Sequence, residues 1–211
     1  MRSVKKLMVC LCVMAASLLM ACGDSKESTI IATTVATPTL SDETKTAEAT
    51  TPANTAETIA VPATGTEVKG TGYSLTFPAN WVASSSEASD MVMLNANSKG
   101  NFTTNFNVVI EDVSAYGSAI TAETYCEAAK RQFASEPAFK ITGTQKVTVN
   151  GEEAYTLTCD VSESGFSYMV KQLYVVSNGN AYVTTFSAGA DDYAADLPEG
   201  DSILATFKIT K

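Results

Sequence analysis

Tyr168-Met-Val-Lys-Gln-Leu-Tyr-Val-Val176 is the stretch that decides the fold. In a strand, successive side chains point to opposite faces. Here Tyr168, Val170, Tyr174 and Val176 fall on one side, with Met169, Leu173 and Val175 on the other. A strand that is apolar both ways sits in mid-sheet with cover on both faces. The expectation is therefore an α+β domain: an antiparallel sheet of about six to seven strands covered by helices on both faces.

Working outward, tight turns flank this strand. Ser162-Glu-Ser-Gly165 leads in from Glu153–Val161, and Asn178-Gly179 leads out to Ala181–Ala188. Asn-Gly between apolar runs is a strong hairpin signal, and a two-residue turn fits at Asn178-Gly179. At Asn150-Gly151, which joins Ile141–Val149 to Glu153, a two-residue turn would place Val147 and Val149 opposite Tyr155, Leu157 and Cys159. A three-residue loop of Val149, Asn150 and Gly151 puts them together and is the expectation.

Upstream, Tyr73–Phe77 alternates as a half-buried strand that ends at Pro78, and the chain turns away at Trp81, the lone Trp and a core anchor. Met91–Leu94 and Asn105–Val113 read as further strands, with Phe106, Val108 and Ile110 on one face. Thr121 is a helix N-cap, and Tyr125, Cys126, Ala129 and Phe133 share the buried face of the helix that follows. This helix covers one side of the sheet. The C-terminal segment covers the other, with Asp191–Leu197 and Asp201–Phe207 helical or turn-like.

Gly72-Tyr-Ser-Leu-Thr-Phe-Pro-Ala-Asn-Trp81, the amphipathic helix, Val149-Asn-Gly151 followed by Ala154-Tyr155, and the closing Ala205-Thr-Phe-Lys-Ile209 together resemble the PsbP-like superfamily. The resemblance covers about Val68 to Lys211. It implies an antiparallel sheet between helices and a role in binding or assembling other proteins. Its markers are structural, and it carries over no catalytic residue.

The chain begins with Arg2, Lys5 and Lys6, then an uncharged apolar run from Leu7 to Met20, then Ala21-Cys22. That is the form of an export signal, too short for a comfortable membrane span. Leu19-Met20-Ala21-Cys22 resembles a bacterial lipobox, with Met20 departing from the usual small or branched residue. The resemblance implies a diacylglycerol thioether on Cys22 and cleavage before it. Residues 1–21 are thus a signal peptide, and residues 22–67, rich in Thr, Ala, Ser and Pro, a disordered tether with an r.m.s. reach of roughly 35–40 Å. Residues 68–211 are the globular domain. The expected location is the outer face of the cytoplasmic membrane, held through the acyl chains.

Losing the signal removes three basic residues, leaving 11 against 23 acidic ones, a net of −12. That balance argues against nucleic acid as a partner. The absence of histidine removes Ser-His-Asp and Cys-His catalysis and the usual zinc sites. No glycine-rich phosphate loop, Cys-x-x-Cys pair or nucleophile elbow appears, so neither a cofactor nor an enzymatic activity is expected. Asp191, Asp192, Asp196, Glu199 and Asp201 cluster, but without the spacing and central Gly of a calcium loop, so helix capping and a solvated face account for them. Cys126 and Cys159 either form a disulfide pinning helix to sheet or remain two separate buried thiols.

The leading expectation is a non-enzymatic protein-interaction or assembly module. The alternative is a small-molecule or sugar-binding lipoprotein with its pocket between sheet and helix, and a two-carboxylate glycosidase is a third reading with no pair to name. Replacing Cys22 by Ala is expected to release the protein into the soluble fraction or leave it unprocessed. Fractionation and migration identical to wild type would refute the lipid anchor.

Overall fold

The computed structural model describes residues 57–58, 63–163 and 165–210. The export signal, Cys22 and all of the tether before Glu57 lie outside the described residues. In chain order the elements are β1 (Glu57–Thr58), β2 (Thr66–Gly70), β3 (Tyr73–Phe77), β4 (Trp81–Ser86), β5 (Ser89–Asn95), β6 (Asn105–Asp112), a 3-10 segment (Ser114–Ala119), α1 (Ala122–Ser135), β7 (Phe139–Val149), β8 (Glu152–Glu163), β9 (Phe166–Ser177), β10 (Asn180–Gly189), α2 (Tyr193–Leu204) and β11 (Lys208–Ile209).

The main sheet has the order β1-β7-β8-β9-β10-β6-β5-β4, antiparallel except for the parallel pair β1–β7. β9 lies in mid-sheet between β8 and β10. Its two faces feed two cores. Leu173 and Val175 join Phe77, Phe106, Phe186, Ile203 and Phe207 beneath α2 and a second, three-stranded sheet β11-β3-β2. Tyr168, Val170 and Tyr174 join Tyr125, Phe133, Leu157 and Cys159 beneath α1. The polar residue in this buried strand is satisfied: Gln172 donates through Nε2 to Thr185 Oγ1 and accepts from the Tyr174 hydroxyl.

Seven strands, β4 to β10, match the expected count, and β1 and the small sheet come in addition. Helix α1 forms as read. The Thr121 hydroxyl accepts from the Thr124 amide, and the Thr124 hydroxyl bonds the Thr121 amide in a capping box. The C-terminal segment is one helix rather than two pieces. Pro198 lies inside it, and packing of the helix on the sheet outweighs the lost backbone bond. Gly200 brings the helix close to the sheet, since a Cβ there would sit 3.0 Å from the Phe186 ring and push it aside.

Three expectations are corrected. Trp81 does not only turn away from the sheet; it opens edge strand β4, whose WVASSS sequence has no apolar period to betray it. The domain's contacts start upstream of Val68, since β2 begins at Thr66 and the Ala63 amide donates to Ser202 O. The Asn150-Gly151 connection is a two-residue turn: Val149 pairs with Glu152, and Asn150 and Gly151 sit at φ 47° and 87°. Val147 and Val149 do lie opposite Leu157 and Cys159, and this costs nothing because each face has its own core.

That turn also holds the C-terminus. Asn150 Nδ2 donates to Phe207 O at 2.7 Å and Ala205 O at 3.3 Å. Asn150→Gly keeps the left-handed backbone but loses both bonds, and should cost about 1 kcal/mol. Asn150→Ala adds backbone strain and should cost about 2 kcal/mol. Urea unfolding midpoints of the two variants check the order. Equal costs would show that strain adds nothing at this position.

A candidate interaction cleft held by an acidic helix face

Asp192, Asp196 and Glu199 are spaced i, i+4 and i+7, so α2 carries them on one face. Asp192 and Asp196 meet the connection between β5 and β6, and Glu199 meets the β3–β4 turn and the end of β5. Asp196 Oδ2 accepts from the Thr104 hydroxyl at 2.6 Å. Glu199 Oε1 accepts from Trp81 Nε1 at 2.8 Å, Asn80 Nδ2 at 3.1 Å and Asn95 Nδ2 at 3.4 Å. Asp192 sits at the N-cap of α2, yet its side chain makes no cap bond. It lies over Gly100 instead, where a Cβ would come 2.7 Å from Oδ2 and the carboxylate would have to move aside. On the other side of the helix, Asp201 pairs with Lys171 at 2.6 Å. Four of the five clustered acids thus hold the helix to its neighbours or meet the loop above it. Asp191 alone is simply exposed.

The clamped loop forms one wall of an open cleft of about 470 Å³ at the end of the sheet. Gly100, Asn101 and Phe102 line this wall, the β8–β9 turn supplies Gly165, Phe166 and Ser167, and the β10–α2 connection supplies Gly189 to Asp192. Phe102 is stacked on Tyr168, centroids 4.9 Å apart and planes at 17°, which fixes the floor. Asn101, Ser167 and Asp191 are exposed at the rim. Among the described residues neither Asp191 nor Asp192 has a salt bridge. The two carboxylates are chain neighbours on a single wall, not a pair facing each other across the cleft.

The space between sheet and α1, where a small-molecule pocket was expected, is filled. Tyr125 and Leu157 are 0 % exposed and Phe133 is 2 % exposed within one packed cluster. Cys126 and Cys159 lie in that same layer, buried and free. Burial, aided by Glu127 for Cys126 and Asp160 for Cys159, pushes both thiols up to about 12, so neither is a thiolate at neutral pH. Burial also raises Glu111, against the opposing effect of the Tyr125 hydroxyl, which donates to it at 2.6 Å. Cys22 lies outside the described residues.

Sequence reasoning found the acids but not the cleft, whose three walls lie far apart in the chain. The signal for the clamp was the i, i+4, i+7 spacing, hidden by reading Asp191–Leu197 and Asp201–Phe207 as two separate pieces. Glu199→Ala should orphan three donors and cost about 2–3 kcal/mol. Because Trp81 is the lone tryptophan, its emission should shift to the red in the folded variant. Unchanged emission and stability would remove Glu199 from the clamp.

The PsbP-like protein family model matches residues 29–209. A search of curated proteins gives no match. Among solved structures, LpqN of Mycobacterium tuberculosis, described as involved in cell envelope biogenesis, superposes with a TM-score of 0.52 at 20% identity, covering 69% of this chain and 90% of that one. The cyanobacterial PsbP of Synechocystis gives a TM-score of 0.48 at 16% identity, covering 66% and 87%. At these identities the structural likeness concerns the fold, while the match to the family model spans most of the sequence. The chain belongs to the PsbP-like protein family.

Proposed function

We propose that this is a lipid-anchored, extracytoplasmic, non-enzymatic module that binds or assembles other proteins of the cell envelope. The observation that carries the reading is the open cleft, built from three loops on a rigid frame. Its floor is fixed by the Phe102–Tyr168 stack and its wall by the acidic face of α2. Loops positioned by a rigid scaffold are where binding residues concentrate. Its rim offers two carboxylates and a half-buried aromatic, Phe166. The basic, apolar N-terminus ending in Ala21-Cys22 supports anchoring, and the acidic balance of the mature chain supports a partner other than nucleic acid or an anionic lipid surface. Among the described residues no helix is long and apolar enough to cross a membrane.

A second reading is a small-molecule site in the same cleft. It places the ligand at the end of the sheet, not under α1. The two readings separate by experiment. A photo-crosslinking residue at Asn101 or Ser167 should capture a specific envelope protein in intact cells, and the same residue at Glu87, at the far end of the sheet, should not. Adding Asp191→Lys should weaken the capture at least fivefold. Equal capture from both ends, or none from the cleft, would defeat the interaction reading. A thermal shift with a small solute that Asp191→Lys abolishes would then favour the second.

A further inference from the structure

β4 (Trp81–Ser86) is the outermost strand of the main sheet, at the edge opposite β1, and among the described residues only β5 pairs with it. Val82, Ala83, Ser84 and Ser85 are exposed one after another. Side chains alternate between the faces of a strand, so an unbroken exposed run leaves both faces and the outer edge open to solvent. Val82, 55 % exposed, is one of two large apolar side chains so exposed among the described residues. The edge also has backbone groups to offer. The Ala96 amide donates to the Asn80 carbonyl, so by antiparallel alternation Val82 and Ser84 bond β5, and Ala83 turns its N–H and C=O outward.

Edge strands are commonly guarded by lysine, proline or an inward-pointing charge, because unpaired backbone groups attract another strand. Trp-Val-Ala-Ser-Ser-Ser has none of these, and the irregularity between Ser84 and Ser86 blunts only its C-terminal end. We infer that β4 pairs antiparallel with β4 of a second copy of this chain, about a twofold axis at Ala83. Charge selects this occupant. The chain carries 14 basic and 23 acidic residues, net −9, so two copies repel unless they meet through an uncharged surface. Residues 79–86 and the facing residues 91–98 carry no charge. The strand is also compatible with itself. The axis sets Ala83 against Ala83, and Val82 against Ser84 of the second copy, with no like charges opposed. Rotation about the sheet normal keeps both α1 helices on one face and sends the two clefts to opposite ends. Such a contact is small against the ~1,600 Å² of a standard interface, so the dimer is reversible and favoured where copies are crowded.

The test is disulfide capture on the full chain in intact cells, with diamide as the thiol oxidant. Directly hydrogen-bonded residues of an antiparallel pair have Cα atoms about 5.5 Å apart, within disulfide reach. Ala83→Cys should give at least tenfold more linked dimer than Glu123→Cys, a position exposed on α1. Adding Val82→Lys and Ser84→Lys opposes like charges across the axis at two exposed positions, and should cut the dimer at least fivefold with the fold intact. Adding Val82→Glu and Ser84→Glu instead should do the same, and co-expressing the two charged forms should restore the dimer. A yield from Ala83→Cys no higher than from Glu123→Cys overturns the inference. So does a yield that both charged forms leave unchanged, or an adduct with a different protein in place of the dimer. None of these outcomes bears on the cleft, so the function proposed above is tested separately.

Discussion

Everything in this fold follows from burying both faces of one sheet. β9 places Leu173 and Val175 on one side and Val170 and Tyr174 on the other, all essentially without exposure. Each such aliphatic side chain contributes about 1.5–3 kcal/mol when fully buried. Leaving either face wet would forfeit several of these at once, from every central strand. One helix is about 10 Å across and covers two or three strands at a spacing near 4.8 Å. α1 packs on β7, β8 and β9. The opposite face is closed by α2 together with the small sheet β11-β3-β2, which brings Tyr73, Leu75 and Phe77 over Phe106 and Tyr182.

Two-sided burial also explains which parts of the fold were legible. Strands with a clear two-residue period, the capped helix α1 and the Asn178-Gly179 turn are written locally, and all appear where the sequence places them. The Asn150-Gly151 turn was misread through a tertiary assumption, not a local one. Aligning Val147 and Val149 with Leu157 presumes a single wet face, and with a core on each side the tighter turn is unopposed. β4 escaped notice because an edge strand with exposed Ala83, Ser84 and Ser85 needs no apolar alternation. The pairing of Lys208–Ile209 with Tyr73–Ser74 joins the two ends of the domain, and no local signal encodes a contact between residues 134 and 136 apart.

The same contrast applies to the cleft. The acids on α2 are conspicuous in the sequence, and their number suggests a cation site or a solvated face. What they do is set by what they face. Glu199 is surrounded by the donors of Asn80, Trp81 and Asn95, and Asp196 by the hydroxyl of Thr104. A partly buried carboxylate loses hydration, and several short hydrogen bonds are needed to offset that loss. The β3–β4 turn, the end of β5 and the β5–β6 connection are thereby held to α2, and the last of these is one wall of the cleft. Function and fold share this helix: its apolar residues Ile203 and Leu204 close a core, while its acidic face shapes a surface.

The direction of β1 can be set against the position of this surface. β7 starts at Phe139, which pairs with Val161, and that end of the sheet also carries the Glu163–Phe166 turn and the Gly189–Asp192 connection. β1 runs parallel to β7 and so points away from the cleft end. Under the proposed anchoring, a short tether holds the cleft close to the membrane, and a long one lets it face anywhere. Whether the cleft serves partners embedded in the membrane or partners free in the space above it therefore depends on the length of chain between Cys22 and the domain.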